Sequence, residues 1–170
     1  IWIHSDSTDI DPQAAAKALG DAIEADGTPF DLILLGSESA DSANAQTGVR
    51  LAHRLGRPVA TAVKGMAVAD GVATCERAVG TMREVYSVPL PAVITVKDGL
   101  NIPRYPSVPG RIKARKKPIE EVPASLDAPR IELLGLTAPI RESKGAQDLG
   151  TGDDAADALV DVMKQIGVLS

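Results

Sequence analysis

The stretch Asp31-Leu32-Ile33-Leu34-Leu35-Gly36 contains a short, unbroken apolar run that ends at a glycine. A parallel strand that is buried on both faces typically has this pattern. The run follows a segment with helical spacing, for which we predict an N-cap at Asp11, a first helical residue at Pro12 and a stop at Gly27. A polar loop at residues 5–11 comes before that helix.

On both sides of this helix and strand, the sequence predicts further alternating strands and helices. The sequence opens with Ile1-Trp2-Ile3-His4, which predicts a strand in the middle of a fold, and we expect further βα units upstream of it. A polar loop at residues 37–43 follows Gly36, and a second helix is predicted from about Asn44 to Leu55. This order of strands and helices predicts an α/β sheet with right-handed crossovers.

After Pro58 the apolar period changes to that of strands. Three strands are predicted at residues 59–68, 72–79 and 82–88, with turn signals at Asp70-Gly71 and Gly80-Thr81. They form an antiparallel meander appended to a mostly parallel sheet, to which a further buried strand at 92–96 belongs. Residues 120–130 are predicted to be a connector and residues 131–136 a strand.

The end of the chain is predicted to form an arm. We place a first domain at residues 1–122 and the C-terminal arm at 123–170. The arm contains an extended linker at 144–152 and a helix that begins at Asp153 and stops at Gly167. Its apolar stripe consists of Leu159, Val160, Met163 and Ile166. The pattern leaves open whether this helix packs on a partner chain or on its own domain.

Composition excludes several classes of protein. The chain has 170 residues, of which 44% are hydrophobic and only 2% aromatic, so aliphatic side chains must fill the core of one ordinary domain. No apolar run approaches the roughly 20 residues of a membrane-spanning helix. The single cysteine, Cys75, excludes an intramolecular disulfide framework and favours a reducing compartment. The net charge of −5 argues against nucleic-acid binding.

Catalytic groups are scarce. His4 and His53 are the only histidines, and neither has an evident partner. Cys75 is predicted to be a small strand residue, and no Cys, His, Asp and Glu cluster has metal-ligand spacing. We therefore predict no catalytic residue, no metal and no self-contained enzyme.

The best ligand candidate is the loop that follows the strand at 31–36. Ligands of open parallel sheets bind beyond the carboxyl ends of the strands, and a helix start with nearby hydroxyl groups could hold a phosphate. No Walker loop or dinucleotide fingerprint is present, so an ordinary βα loop remains the alternative. The candidate residues are Gly36, Ser37, Glu38, Ser39, Ala40, Asp41, Asn44, Gln46 and Thr47.

The stretch Leu100-Asn-Ile-Pro-Arg-Tyr-Pro-Ser-Val-Pro-Gly-Arg-Ile-Lys-Ala-Arg-Lys-Lys-Pro118 is proline-rich and basic. It holds six cations and no acid between residues 104 and 117, and its prolines forbid a long regular helix. Three interpretations stay open from the chemistry alone. The stretch is a solvated loop, a nucleic-acid-binding segment whose cations bind phosphates, or a docking loop. In the docking loop, Val108 is an apolar knob between two fixed turns and the cations steer an acidic partner.

Several blocks of this sequence together resemble the β subunit of electron transfer flavoproteins. They are Asp31–Gly36, Asn44-Ala-Gln-Thr-Gly48, Leu90-Pro-Ala-Val-Ile-Thr95, Leu100-Asn-Ile-Pro-Arg-Tyr-Pro106 and Ile112-Lys-Ala-Arg-Lys-Lys-Pro118. The resemblance covers nearly the whole sequence, with the blocks in the family's order. It implies a Rossmann-like fold of the adenine nucleotide α-hydrolase type.

The resemblance also implies a function. The chain would be one half of an αβ heterodimer that carries electrons from flavin dehydrogenases, such as acyl-CoA dehydrogenases of fatty acid oxidation, towards a quinone oxidoreductase and the respiratory quinone pool. FAD would be held mainly by the α subunit, and the loop from Gly36 to Thr47 would bind a structural AMP or a second FAD. The arm would wrap the α subunit. No direct membrane insertion is expected, and the location would be the bacterial cytoplasm or the mitochondrial matrix.

In the family, the segment that corresponds to residues 105–116 docks partner dehydrogenases. Its candidate contact residues here are Tyr105, Val108, Pro109, Arg111, Lys113 and Lys116, with Val108 where the family places an anchoring leucine. The loop before Asn44 has a single acid, Asp41, where the family often has an acidic tract. The alternative from another class is a stand-alone adenine-nucleotide sensor, which shares the Gly36–Thr47 loop but leaves the basic stretch unexplained.

Overall fold

The computed structural model describes residues 1–6, 10–132, 134–140 and 145–169. Ser7, Thr8 and Asp9 of the predicted loop at 5–11 therefore lie outside the described residues. The chain divides into two compact units, Ile1–Glu132 and Leu133–Ser170, which are described separately below. The domain boundary predicted at 122/123 stays a prediction.

The first unit alternates strands and helices and then turns to strands. In chain order its elements are β1 (Trp2–His4), α1 (Pro12–Asp26), β2 (Leu32–Gly36), α2 (Thr47–Arg54), β3 (Val59–Val63), β4 (Gly65–Ala69), β5 (Val72–Val79), β6 (Met82–Pro89), β7 (Ala92–Val96), α3 (Val108–Arg115) and β8 (Glu121–Pro123).

These strands form a parallel and an antiparallel part, as predicted. β2, β7 and β3 pair in that order as a parallel sheet, while β4, β5 and β6 form the antiparallel meander. β1 pairs in parallel with β8. The α/β fold class is confirmed. The prediction of a plain connector at 120–130 is wrong, because Glu121–Pro123 lies in register with β1.

Helix α1 begins and ends where the sequence predicts. The Asp11 side chain accepts a hydrogen bond from the Ala14 N–H at 2.7 Å, and Gly27 ends the helix with a φ of 72°. The second carboxylate oxygen of Asp11 accepts from the Arg130 N–H, also at 2.7 Å. One side chain therefore caps the helix and fixes a residue 119 positions further along the chain.

Helix α2 is shorter than predicted, since it runs from Thr47 to Arg54 rather than from about Asn44 to Leu55. Ala43 and Ala45 have φ values of 49° and 53°. A right-handed helix cannot include residues in this region of the Ramachandran map. The family-like block at 44–48 therefore forms the approach to the helix as well as its first turn.

The single strand predicted at 59–68 is wrong. The structure has two strands there: β3 extends the parallel sheet, and β4 opens the meander. Ala62 has a φ of 56°, the pairing of β3 with β7 shifts register between Ala60 and Val63, and the Ala62 N–H donates to Oγ1 of Thr95 at 3.1 Å. This irregularity turns the chain from one sheet into the other.

The core lies between the parallel sheet and the meander. Its buried residues come from β3, β5, β6 and β7 and are Ala60, Val63, Ala73, Cys75, Val88, Ala92 and Ile94. β7 is the central strand and is almost fully buried. By contrast, the prediction that β2 is buried on both faces is wrong: within the described residues β2 pairs only with β7, and Leu34 remains 48% exposed.

In the second unit, helix α4 (Asp153–Gln165) begins at the predicted residue, with Asp153 and Asp154 in its first turn. Leu159, Val160 and Ile166 of its apolar stripe are exposed. The strand predicted at 131–136 is wrong for its described residues, which are not in a strand, while Leu133 lies outside the described residues. Lys144, where the predicted linker begins, also lies outside them.

Candidate functional site

A cavity of about 390 Å³ opens beyond the carboxyl end of β2. It is bounded by the loop that follows Gly36, by the first turn of α2 and by the start of α1. Eight of the nine residues predicted for the ligand loop line it; only Ala40 does not. The lining residues missed by the sequence reading are Ile10, Pro12, Ala15, Leu35, Ser42 and Ala45.

The missed residues of α1 could have been found by a topological argument. β1 precedes α1 just as β2 precedes α2, and ligands of parallel α/β sheets bind beyond the carboxyl ends of the strands, so the start of α1 was a further candidate. Ile10, Pro12 and Ala15 add an apolar wall to a loop that is otherwise polar. The cavity therefore combines an apolar side with a hydroxyl-rich side, as ligand pockets commonly do.

The polar wall is held in place by hydrogen bonds within the loop. The hydroxyl groups of Ser39 and Ser42 lie 2.8 Å apart, and the Ser42 N–H donates to the Asp41 carboxylate at 2.6 Å. The Ala43 N–H donates to the Ser39 carbonyl oxygen. Hydrogen bonds from the Ser39 side chain and the Ser42 N–H lower the pKa of Asp41, which therefore stays ionised at neutral pH.

The start of α2 offers uncapped backbone donors to the cavity. Gln46 occupies the N-cap position without a side-chain hydrogen bond to the helix, because its side-chain oxygen accepts instead from the Arg50 guanidinium. The first turn carries no acid. Free N–H groups and the positive end of the helix dipole suit an anionic group at this position.

The charges at the cavity are mixed. Glu38 and Asp41 bring carboxylates to the wall. Lys97 follows β7 directly, and its Nζ lies 3.3 Å from a carboxylate oxygen of Glu38, so its positive charge offsets the charge of Glu38. A ligand with both an anionic part and hydroxyl or amino donors fits this arrangement better than an anion alone.

Helix α3 lies within the basic stretch at 100–118. The prediction that Val108 stands between two fixed turns is wrong, because Val108 is part of this helix. Val108 is its first residue, the Ser107 side chain accepts from the Gly110 N–H at 3.2 Å, and a proline lies in the first turn. The prolines forbid a long helix but favour the start of this short one. No residue of α3 is buried.

The residues predicted for docking are all exposed. Tyr105 lies in the segment before α3, while Val108, Pro109, Arg111 and Lys113 lie on the helix and Lys116 caps its end. The structure does not gather these six side chains on one face. Sequence reading missed Ile112, which is 54% exposed and lies one helical turn after Val108.

Two further residues were considered for chemistry, Cys75 and His53. Cys75 is fully buried in β5, and burial raises the pKa of its thiol. His53 is an exposed residue of the last turn of α2. Across the described ranges, no group of three or more His, Cys, Asp or Glu side chains is placed to hold a metal ion. None of the helices in those ranges has the length and apolar character needed to cross a bilayer.

Comparison with known proteins shows the family to which the chain belongs. Residues 2–127 match the electron transfer flavoprotein domain family. The chain is 33% identical over 157 residues to the electron transfer flavoprotein subunit beta of Syntrophomonas wolfei, which is 92% of this chain and 62% of that protein. It is 42% identical over 93 residues to the subunit of that name from Bacillus subtilis, covering 55% of this chain and 36% of the relative.

A probable electron transfer flavoprotein subunit beta from Saccharomyces cerevisiae is 33% identical over 159 residues, which is 60% of its length. The chain thus spans about three fifths of two of these relatives and less of the third. The predicted family is confirmed by the domain match, which covers most of the first unit. This chain belongs to the electron transfer flavoprotein family, among its β subunits.

Proposed function

We propose that this chain is the β subunit of a heterodimeric electron carrier that takes electrons from flavin dehydrogenases and passes them towards a quinone oxidoreductase. FAD, held mainly by an α subunit, would supply the redox chemistry, and this chain would supply a nucleotide site and a docking surface. The single observation that carries the proposal is α3: in a chain of this family, a short basic helix without a buried residue has no role in its own core.

The cavity at β2 is the proposed nucleotide site. Its residues fit an adenine mononucleotide. The N–H group of Thr47, at the uncapped start of α2, would hold the phosphate, and the carboxylates of Glu38 and Asp41 would accept from ribose or amino groups. The wall at Ile10 and Pro12 would contact the base. A volume of about 390 Å³ is near the lower end for ligand pockets. This volume accommodates a mononucleotide, and the proposed occupant is AMP.

A cofactor census tests the proposal. The protein is co-purified with its α subunit, its flavin is counted by absorbance, and nucleotides released by heat are separated and identified by mass. A yellow αβ complex with one FAD and one AMP is expected. Two FAD per heterodimer would contradict the assignment of AMP but not the carrier function. A colourless, nucleotide-binding homodimer would contradict the carrier function and favour a stand-alone sensor.

The proposed location follows from the proposed partners. A carrier that serves soluble flavin dehydrogenases would work in the cytoplasm of a bacterium or in the mitochondrial matrix. Fractionation of cells with an antibody against this chain, with an acyl-CoA dehydrogenase as the reference protein, tests the location directly.

A further inference from the structure

We infer that Arg50 makes the cavity at β2 selective for a nucleotide that carries a phosphate group over the uncharged nucleoside. This inference rests on the proposed nucleotide site and names the side chain that decides which ligands the site takes. The ligand class is a nucleoside monophosphate whose phosphate lies at the start of α2.

The lining of the cavity has the wrong charge for an anion. Its charged side chains are Glu38 and Asp41, and no lysine or arginine of the described residues lines it. Lys97, the cation at its edge, is already paired with Glu38 at 3.3 Å. A bound phosphate would therefore meet a net negative wall unless a positive charge lies close behind that wall.

Arg50 supplies such a charge. It lies one turn after Gln46 on α2, and its guanidinium donates twice to Oε1 of Gln46, at 3.1 and 2.8 Å. A third N–H donates to Oε1 of Gln13, in the first turn of α1, at 2.8 Å. Because Gln46 lines the cavity, the guanidinium lies directly behind its wall and is joined to the starts of both helices.

The charge of Arg50 is not neutralised by an ion pair in the described part of the chain. All three hydrogen bonds go to neutral amide oxygens, and none of the ion pairs of the described residues includes Arg50. Its charge acts on Asp11, but both oxygens of Asp11 accept from backbone N–H groups. The pKa of Asp11 is lowered chiefly by those hydrogen bonds, that from Arg130 first, and least by the charge of Arg50.

A half-buried guanidinium held only by neutral acceptors keeps its attraction for an anion, and partial burial reduces the screening by water. The alternative is a purely structural role, in which Arg50 holds α1 and α2 together. A structural clamp would support the binding of a nucleoside and a nucleotide equally, whereas a positive charge acts on the phosphate alone. The ratio of the two affinities therefore separates the two roles.

The test uses the αβ complex, freed of bound nucleotide by dialysis, and measures the Kd of AMP and of adenosine by calorimetry. In Arg50→Gln we expect the Kd of AMP to rise about tenfold or more and that of adenosine to change less than about twofold. Arg50→Lys keeps the charge and should keep the AMP-to-adenosine selectivity within about threefold of the wild type. Circular dichroism and flavin content should be unchanged.

Arg54→Gln is the matched control. It removes the same charge one turn further along α2, where Arg54 pairs with Asp21 and Glu24, and both Kd values should stay near those of the wild type. If Arg54→Gln reduces the selectivity as much as Arg50→Gln does, the effect belongs to the net charge of the complex and the inference is wrong.

The other outcomes separate this inference from the proposed function. If Arg50→Gln or Arg50→Lys raises the Kd of AMP and of adenosine equally, or if Arg50→Gln changes neither, Arg50 does not select the phosphate, while the nucleotide site stands. The lysine variant decides this even where Arg50→Gln does not fold. If the wild-type complex binds neither AMP nor adenosine, the proposed nucleotide site fails together with this inference.

Discussion

Asp11 shows how much one side chain can do in this fold. It caps α1 through one carboxylate oxygen and holds the Arg130 N–H through the other. These hydrogen bonds, first that from Arg130 and then that from Ala14, lower the pKa of Asp11. A carboxyl group with a lowered pKa stabilises the folded state above its unfolded value of about 3.9, and this contribution is lost as the pH falls through the lower folded value.

We therefore predict that Asp11→Asn lowers the free energy of unfolding by about 1 kcal/mol at pH 7. The difference between wild type and variant should shrink as the pH falls below about 4, because protonated Asp11 loses the same advantage. Urea unfolding between pH 3 and pH 7 measures it. A difference that stays constant over this range would show that the charge of Asp11 contributes nothing.

Gly48 lies where α2 packs directly against β7 of the sheet. A Cβ at this position would lie 2.2 Å from Cγ2 of Thr95, which is buried in β7. Thr95 cannot rotate freely, because its hydroxyl oxygen accepts from the Ala62 N–H at the bend of β3.

We predict that Gly48→Ala costs about 1–3 kcal/mol of stability by overpacking this contact. Gly36→Ala is the matched control, since nothing lies within 4 Å of a Cβ there, and its effect should stay within about 0.5 kcal/mol. Denaturant unfolding of both variants gives the comparison. Equal costs would mean that α2 can shift away from β7 without penalty.

At the scale of elements, Arg77 connects the meander to the parallel sheet. Its guanidinium donates to Glu84 of β6 at 2.8 Å and to the Thr61 hydroxyl of β3 at 3.0 Å, and it lies over the Tyr86 ring. The Tyr86 hydroxyl also donates to Glu84. Hydrogen bonds from Tyr86 and then from Arg77 lower the pKa of Glu84, so this cluster stays charged at neutral pH.

Arg77→Ala should lower the midpoint of urea unfolding more than Arg83→Ala does, since it removes hydrogen bonds and a cation–π contact together. Arg83→Ala is the control on the same sheet, because Arg83 pairs with Glu76 and its side chain is 71% exposed. Its effect should be within about 0.5 kcal/mol. If both substitutions have the same small effect, Arg77 does not hold the two sheets together.

At the scale of the whole molecule, charge is unevenly distributed. The chain has a net charge of −5, yet residues 104–117 hold six cations and no acid. Oppositely charged surfaces accelerate encounter at low ionic strength, and salt screens this attraction over about 8–10 Å.

The proposed carrier should therefore depend on salt. Raising the ionic strength from about 0.05 M to about 0.5 M should increase its KM for a reduced flavin dehydrogenase several-fold, while kcat changes little. A quadruple variant with Arg111, Lys113, Arg115 and Lys116 changed to Gln should lose most of this dependence. A salt effect of equal size in that variant would place the steering charges elsewhere on the complex.

The sequence by itself determined the local signals. The ends of α1 are given by Asp11-Pro12 and Gly27, and the central strand by the aliphatic run at 92–96. The matching blocks identify the family. These signals can be read from the sequence because each depends on a few neighbouring residues. The loop after the apolar run that ends in glycine was predicted as the ligand candidate, and it stays a prediction. All but one of its predicted residues line the cavity.

Only the tertiary structure decided what depends on distant partners. The sequence of β2 predicts a buried strand, but within the described residues β2 lies at the edge of its sheet. β8 forms by pairing with β1. Residues 59–68 divide between two sheets at a bend where Thr95 accepts a hydrogen bond from the Ala62 N–H. By contrast, α3 follows from a local signal that the sequence analysis did not use, the Ser107 cap with a proline in the first turn. Whether a strand is buried, and which strand it pairs with, depends on segments far away in the sequence. The residues of one strand therefore cannot specify either.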